Sequence, residues 1–431
     1  MNHSRTLNGF RAGRLVRPAL VLAALGLVPA VATSPALAQP VAGAPALRGP
    51  LFFRPGQERA AAELLRLVDT ARTDGLDPRR YRSREVHRLV RAAWGGNPQA
   101  IARADRALAD LFVRYAQDLR RAPNIGVIYV DNELRPQAPS AATLLGQAAA
   151  APDVAAFIRD MGWMHPYYAP LRRHLVEGRL DSRRQALVRL NLERVRSLPA
   201  GGRYVLVNSA AQRLFMVDNG QTVDMMRVVV GKPIHPTPMM AGLIRFTTLR
   251  PFWNVPSDLA AERIAPNVVK QGVPYLRQKG YQVLSDWSER PRLVNPASID
   301  WQAVAAGRKE IRVRQLPGPS NSMGDMKFMF PNAQGIYLHD SPQEDLFDEA
   351  SRMFSAGCVR LEAAPRLASW LYGRPLRARG ATPEQKVPLG RPVPVYLTYL
   401  TVVPSGSELA YFDDIYRWDQ AKKQMARGRR G

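Results

Sequence analysis

The chain reads as an α+β protein, an N-terminal α-helical domain followed by a mostly β domain that carries a large insertion. Three observations predict this. Apolar residues recur at three-to-four spacing up to about Pro199 and then switch to β-branched alternation from Gly201. Asp218-Asn219-Gly220 stands between two alternating runs, a strong hairpin signal. Trp253, Trp287 and Trp301 lie amid prolines between Phe252 and Leu316, where the alternation stops.

In chain order, Arg5, Arg11, Arg14 and Arg17 precede the apolar run Pro18–Ala32, and Ala36-Leu37-Ala38 fits a small-residue cleavage site. This predicts a secretory signal over 1–38 and a periplasmic location. The run is shorter than a bilayer span and contains Pro29, which argues against a permanent anchor. Residues 39–50 are Ala/Pro/Gly-rich and read as a flexible tether. Helices are expected through 51–200, with Glu58–Thr73 and Asp105–Arg121 the clearest; in the second, Leu108, Leu111, Phe112, Tyr115 and Leu119 share one face. The β domain is expected over 201–404, with strands Arg203–Asn208, Arg213–Val217, Thr222–Val230, Gly335–His339 and Pro392–Pro404, a capping insertion over about 252–316, and a helix Glu362–Tyr372. Residues 405–431 form a C-terminal extension ending in a basic tail with Lys422, Lys423, Arg427, Arg429 and Arg430.

Charge narrows the partners. The 61 Lys and Arg against 36 Asp and Glu give a net +25, and loss of the four signal arginines leaves about +21. Such a surface seeks anions. For an exported protein these are wall peptides or lipid head groups, with peripheral contact at anionic envelope surfaces, and no nucleic acid, since no recognition module is visible. General solubility accounts for the same charge equally well. His87, His165 and His174 have no cysteine or paired carboxylate at metal spacing and are assigned no chemistry; no metal or cofactor is called for. Oligomeric state is not legible.

Cys358 is the single cysteine, so it forms no internal disulfide, an unusual circumstance for an exported chain. It is inert and buried, paired between molecules, or reactive. It follows a glycine in Ser355-Ala356-Gly357-Cys358-Val359-Arg360, a small-residue loop leading into the predicted helix. Nineteen residues upstream, His339 ends the predicted strand Ile336-Tyr337-Leu338-His339-Asp340. In this arrangement His339 takes the thiol proton and later protonates a departing amine, the Gly357 and Cys358 backbone N–H groups bind an oxyanion, Arg360 lowers the thiol pKa, and Asp340 orients the imidazole. Cys358 is then expected to be solvent-reachable and more nucleophilic than a model thiol.

Tyr337-Leu338-His339-Asp340-Ser341-Pro342 followed by Ser355-Ala356-Gly357-Cys358-Val359-Arg360 resembles the active-site signature of L,D-transpeptidases with the YkuD-type catalytic domain. The YcbB-like branch is closest, through Gly231-Lys232, Thr237-Pro238-Met239-Met240, Trp253-Asn254-Val255-Pro256, Pro317-Gly318-Pro319-Ser320-Asn321-Ser322 and Asp413-Asp414-Ile415-Tyr416. Gly75-Leu76-Asp77-Pro78, Arg114–Leu119 and Leu190–Arg194 resemble that branch's helical scaffold.

The resemblance implies Cys358 as the acyl-enzyme nucleophile and His339 as general acid/base. It implies substrate contacts from Arg360, to a carboxylate, and from Tyr337; Asp340 and Ser355 are grouped with them. Two departures stand out: Ala356 replaces the histidine common in the wider family, and no room exists between His174 and Leu190 for an inserted peptidoglycan-binding domain.

The implied reaction is peptidoglycan cross-linking, in which a Cys358 thioester with a donor stem peptide passes to the diaminopimelate side-chain amine of an acceptor stem. Carbapenems should acylate the same thiol. Joining two diaminopimelates is the favoured product and L-Ala to diaminopimelate the alternative. Rival readings are a cysteine carboxypeptidase, endopeptidase or D-amino-acid exchange enzyme on the same substrate, and a non-catalytic wall-binding protein.

Overall fold

The computed structural model describes residues 49–420; the expected signal segment, most of the tether and the basic tail lie outside them. Helices α1 (Ala60–Asp69), α2 (Ser83–Ala93), α3 (Pro98–Arg120), α4 (Ala141–Ala150), α5 (Val154–Arg159), α6 (Tyr168–Val176) and α7 (Ser182–Val195) build the scaffold. Their starts follow local chemistry. Asn97 accepts the Gln99 and Ala100 N–H groups with Pro98 at the first helical position of α3, and Ser140, Asp153 and Asp181 cap α4, α5 and α7 in the same way. Between α3 and α4 a two-residue strand β1 (Ile128–Tyr129) leaves the scaffold to join the sheet of the second half.

That sheet contains β2 (Tyr204–Asn208), β3 (Arg213–Asp218), β4 (Gln221–Gly231) and β5 (Met240–Leu249). Asn219 at φ 49° and Gly220 at φ 80° make the β3–β4 turn, both positive as a two-residue hairpin with the strands' own twist requires. The cap follows, with β6 (Trp253–Val255), α8 (Ser257–Leu259), α9 (Ala265–Gln271), α10 (Pro274–Gln278), β7 (Tyr281–Leu284), α11 (Trp301–Ala305) and β8 (Arg312–Gln315). Its strands pair in the order β6-β8-β7, apart from the main sheet, over a separate core of Val255, Ile264, Val268, Val283, Val304 and Val313.

The main sheet resumes with β9 (Met326–Met329), β10 (Leu338–His339), β11 (Met353–Ser355) and β12 (Val359–Leu361), followed by α12 (Ala364–Tyr372) and β13 (Gln385–Thr398). Its order is β5-β13-β2-β3-β4-β12-β10-β9, and β9 pairs back onto β5, so the sheet closes on itself. A final hairpin, β14 (Val402–Ser405) and β15 (Glu408–Tyr411), stands apart.

Three expectations are corrected. In Gly335–His339 the chain turns at Gly335, whose φ is 63°, and pairs as a strand only at Leu338 and His339. Pro392–Pro404 is two strands, because the Asn208 side chain accepts the Leu400 N–H and donates to the Leu400 carbonyl, drawing the chain out of the sheet after Thr398. The division at 404 falls inside β14, whose Val402 is buried with the helical core. Tyr204, Leu206, Ala241 and Tyr396 of the sheet belong to that same core, so scaffold and sheet share one apolar interior. The connection from α6 to α7 is five residues, 177–181.

Candidate active site

Strands β10 and β12 run parallel with Leu338 level with Val359 and His339 level with Arg360, and the Val359 N–H donates to the Tyr337 carbonyl at 3.0 Å. Leu338 and Val359 are fully buried in the barrel core. Side chains alternate along a strand, so Tyr337 and His339 on one chain and Cys358 and Arg360 on its neighbour share the opposite face. All four line a cavity of 250 Å3 between this face and the cap, whose Trp253, Asn254, Leu259 and Arg263 supply the other wall.

The His339 ring is 2% exposed, and its Nδ1 lies 2.6 Å from the Asp340 backbone carbonyl. A carbonyl only accepts, so Nδ1 carries the hydrogen and Nε2 is left as the basic nitrogen. Burial, with the charge of Arg360 adding to it, pushes the imidazole pKa down to about 3. Burial likewise pushes the half-buried Cys358 thiol up to about 11, against the opposing pull of the Tyr337 amide, Arg360 and Lys327. Sγ donates to the Gly335 carbonyl at 3.5 Å. The resting pair is therefore thiol and neutral imidazole. Desolvation outweighs the nearby cations, so the shift runs against the sequence expectation of a thiol activated at rest.

The loop before Cys358 is held from two sides. The Ser355 hydroxyl donates to the Cys358 carbonyl at 2.6 Å and accepts the Gly357 N–H at 3.1 Å. Ser355 thus supports the loop, and the Gly357 N–H, expected as an oxyanion donor, is already engaged. Gly357 has φ 110°, a conformation side chains rarely adopt, and a Cβ there would sit 3.1 Å from Ile336. Asp340 is not in the cavity wall. Its carboxylate accepts the Asp325 N–H at 2.8 Å and packs against Gly324, so the backbone of Asp340 orients the imidazole and its side chain does not.

Arg360 donates through Nη1 to Gln343 Oε1 at 2.7 Å, while its Nε is buried with no partner. Of the three cap tryptophans only Trp253 lines the cavity; Trp301 is buried in the cap core and Trp287, 46% exposed, lines a different hollow. Sequence reasoning missed His235, Asn254 and Arg263. Asn254 stood within a quoted motif, whereas His235 and Arg263 carried no signal beyond their residue type.

Residues 202–395 match the family model of the L,D-transpeptidase catalytic domain, YkuD, and residues 48–175 match that of a scaffold domain. The chain carries an L,D-transpeptidase catalytic domain of the YkuD family, preceded by a scaffold domain. A Haemophilus influenzae protein carrying the provisional name L,D-transpeptidase is 31% identical over 238 residues, 54% of this chain and 47% of that one. The chain thus spans about half the length of this curated relative. Among solved structures, an L,D-transpeptidase from Mycobacterium smegmatis is 18% identical over 46% of this chain and 59% of that one, and an LD transpeptidase in complex with imipenem is 16% identical over the same shares. Both superpose with a TM-score of 0.22, an overlap too small to bear on function.

Proposed function

We propose that the protein is a periplasmic cysteine acyltransferase that cross-links peptidoglycan stem peptides. The observation that carries this reading is the shared face of β10 and β12, where His339 with its free Nε2 and the cysteine Cys358 line one cavity.

His339 Nε2 takes the thiol proton as Cys358 Sγ attacks a donor carbonyl, so the imidazolium and the sulfur-bound tetrahedral intermediate form together rather than from a standing thiolate. The Cys358 and Tyr337 backbone amides stabilise the oxyanion, the role first assigned to Gly357 having passed from it because Ser355 holds its N–H. As the intermediate collapses, the carbon–nitrogen bond breaks and His339 returns the proton to the departing amine, leaving a thioester. An acceptor amine, the diaminopimelate side-chain amine, then attacks the thioester and gives its proton to His339. Collapse expels the sulfur, which recovers the proton as thiol. Diaminopimelate-to-diaminopimelate linkage is the favoured product.

Incubation of the purified protein with tetrapeptide muropeptides tests the reading by mass spectrometry. A cross-linked dimer made by wild type and lost in Cys358→Ala is expected, and the dimer's mass fixes which carbonyl was attacked. Monomeric tripeptide alone would make the protein a hydrolase, and no change of any kind would leave a binding protein.

A further inference from the structure

The cavity holds two guanidinium groups and neither has an acidic partner. Among the described residues Arg360 makes one side-chain hydrogen bond, to the neutral Gln343 amide, and no ion pair involves Arg360 or Arg263. Arg263 comes from the cap, on the π-helical turn Ala260–Ile264. In that wide turn Ala260 and Ile264 are buried in the cap core, while Arg263 is half-buried and lines the cavity with Leu259 four residues before it. Asp258, the one carboxylate in the cavity wall, is exposed and pairs with neither arginine.

Arg360, like Arg263, is half-buried, and a partly desolvated cation without a counter-ion is costly, with a second cation facing it adding repulsion. Burial and the charge of Arg263 together lower the Arg360 pKa, which registers that repulsion. The buried, unpartnered Nε of Arg360 is the kind of orphan donor that folded proteins satisfy or reserve for a ligand. A carboxylate answers both problems, since it neutralises the pair and accepts two parallel hydrogen bonds from a guanidinium.

We infer that Arg263 of the cap and Arg360 of β12 together form a carboxylate clamp that selects the donor stem peptide, an inference that rests on the stem-peptide reading above. Arg360 stands two residues from Cys358 on the same strand face, roughly 7 Å along the backbone, so the clamped carboxylate lies within about one residue of the attacked carbonyl. Two donor carboxylates meet that condition, the C-terminal one on the leaving residue and the side-chain one on diaminopimelate. Arg263 is on this account a specificity-determining residue, and the cap contributes to donor choice.

The test is calorimetric binding to the full chain carrying Cys358→Ala, which removes turnover from the readout. Three probes are used: the free-acid tetrapeptide L-Ala-γ-D-Glu-diaminopimelate-D-Ala, its C-terminal amide, and the same peptide amidated on the diaminopimelate side chain. The expected result is that Arg263→Ala and Arg263→Gln each weaken the free acid by tenfold or more, that Arg263→Lys restores part of the loss, and that one amidated peptide, by its identity, binds weakly and is indifferent to the Arg263 substitutions. Equal losses toward all three peptides, no loss toward any, or no binding of the free acid to the parent would overturn the clamp. Turnover of wild type on muropeptides is scored separately, so a peptide that is clamped but never cross-linked counts against the transpeptidase reading alone.

Discussion

The Thr237 hydroxyl donates to the Gly357 carbonyl at 2.8 Å while accepting the Gly231 N–H at 2.9 Å, tying the residue before the cysteine to the end of β4. The contact is buried and close on every side, for a Cβ on Gly231 would meet the His235 carbonyl at 2.1 Å. Thr237→Val keeps the shape and strips both hydrogen bonds from buried backbone groups. It should cost about 1–3 kcal/mol of stability. It should also lower kcat by up to about a hundredfold by letting the loop shift, with KM changing little. Thermal melts beside steady-state rates check this, and an unchanged kcat would mean that the loop holds its position without Thr237.

Acid should destabilise the protein through its buried histidines. His339 and His165 are each pushed down to about 3 by burial, and the His165 Nδ1 accepts the Tyr167 N–H at 3.1 Å, a bond that protonation of Nδ1 would break. A histidine with a depressed folded-state pKa leaves the unfolded chain binding more protons. Its stabilising contribution is therefore complete above about pH 6.5 and is lost as pH falls toward 3. Each site accounts for at most about 5 kcal/mol over that window. His165→Gln should flatten the fall of denaturation midpoint between pH 6.5 and 4 without altering it at pH 8 by more than its own packing cost; an unaltered slope would show that other groups govern the acid transition.

The hairpin at Asn219-Gly220 and the helical face of α3 were legible because each depends on neighbours in sequence, a turn demanding positive φ or an apolar stripe at helical spacing. The nucleophile and its base were legible because a lone cysteine after glycine and a histidine at a strand end are rare residues in informative settings. What could not be read is non-local. The parallel register of β10 with β12 involves a strand of two paired residues, too short to leave a periodic trace. Arg263 looked like any of the chain's many arginines, since only the cap's folding over the barrel brings it to Arg360. The engagement of the Gly357 N–H and the direction of the thiol shift depend on Ser355 and on burial, which spacing does not report.

The C-terminal segment should prove integral to the site. Asp419 pairs with Arg194 of α7 at 2.6 Å with both side chains buried, and it accepts the Thr401 hydroxyl at 2.7 Å. Three residues earlier, Tyr416 donates to the Gly231 carbonyl at 2.9 Å and accepts the Thr237 N–H at 3.3 Å. Scaffold and nucleophile loop are thus joined through residues 416–419. Asp419→Asn leaves a buried arginine without its counter-ion and should cost about 3–5 kcal/mol. Tyr416→Phe should cost less stability while lowering kcat, because it removes only the contacts to Gly231 and Thr237. Comparing the two variants by chemical denaturation and by turnover checks the division; equal effects on both measures would refute it.

The thiol's chemistry should separate passive reagents from those that engage the site. With the Cys358 pKa raised to about 11, the thiolate fraction at pH 8 is on the order of 10⁻³. Alkylation by iodoacetamide, which needs a standing thiolate, should be far slower at pH 8 than for a model thiol and should rise about tenfold per pH unit until near pH 10. A carbapenem presents a strained carbonyl to Sγ and a carboxylate to the arginines, so its attack draws on His339 as the thiol proton leaves. Intact-protein mass should show a carbapenem adduct on wild type at neutral pH, none on Cys358→Ala, and a rate reduced by about 10²-fold or more in His339→Ala, the usual worth of a general base. The same His339→Ala variant should alkylate with iodoacetamide at a rate within a few-fold of wild type at pH 10, where solvent hydroxide removes the proton. Rapid alkylation of wild type at pH 7 would instead mean that Cys358 rests as a thiolate, and His339→Ala acylating at the wild-type rate would remove the imidazole from the reaction.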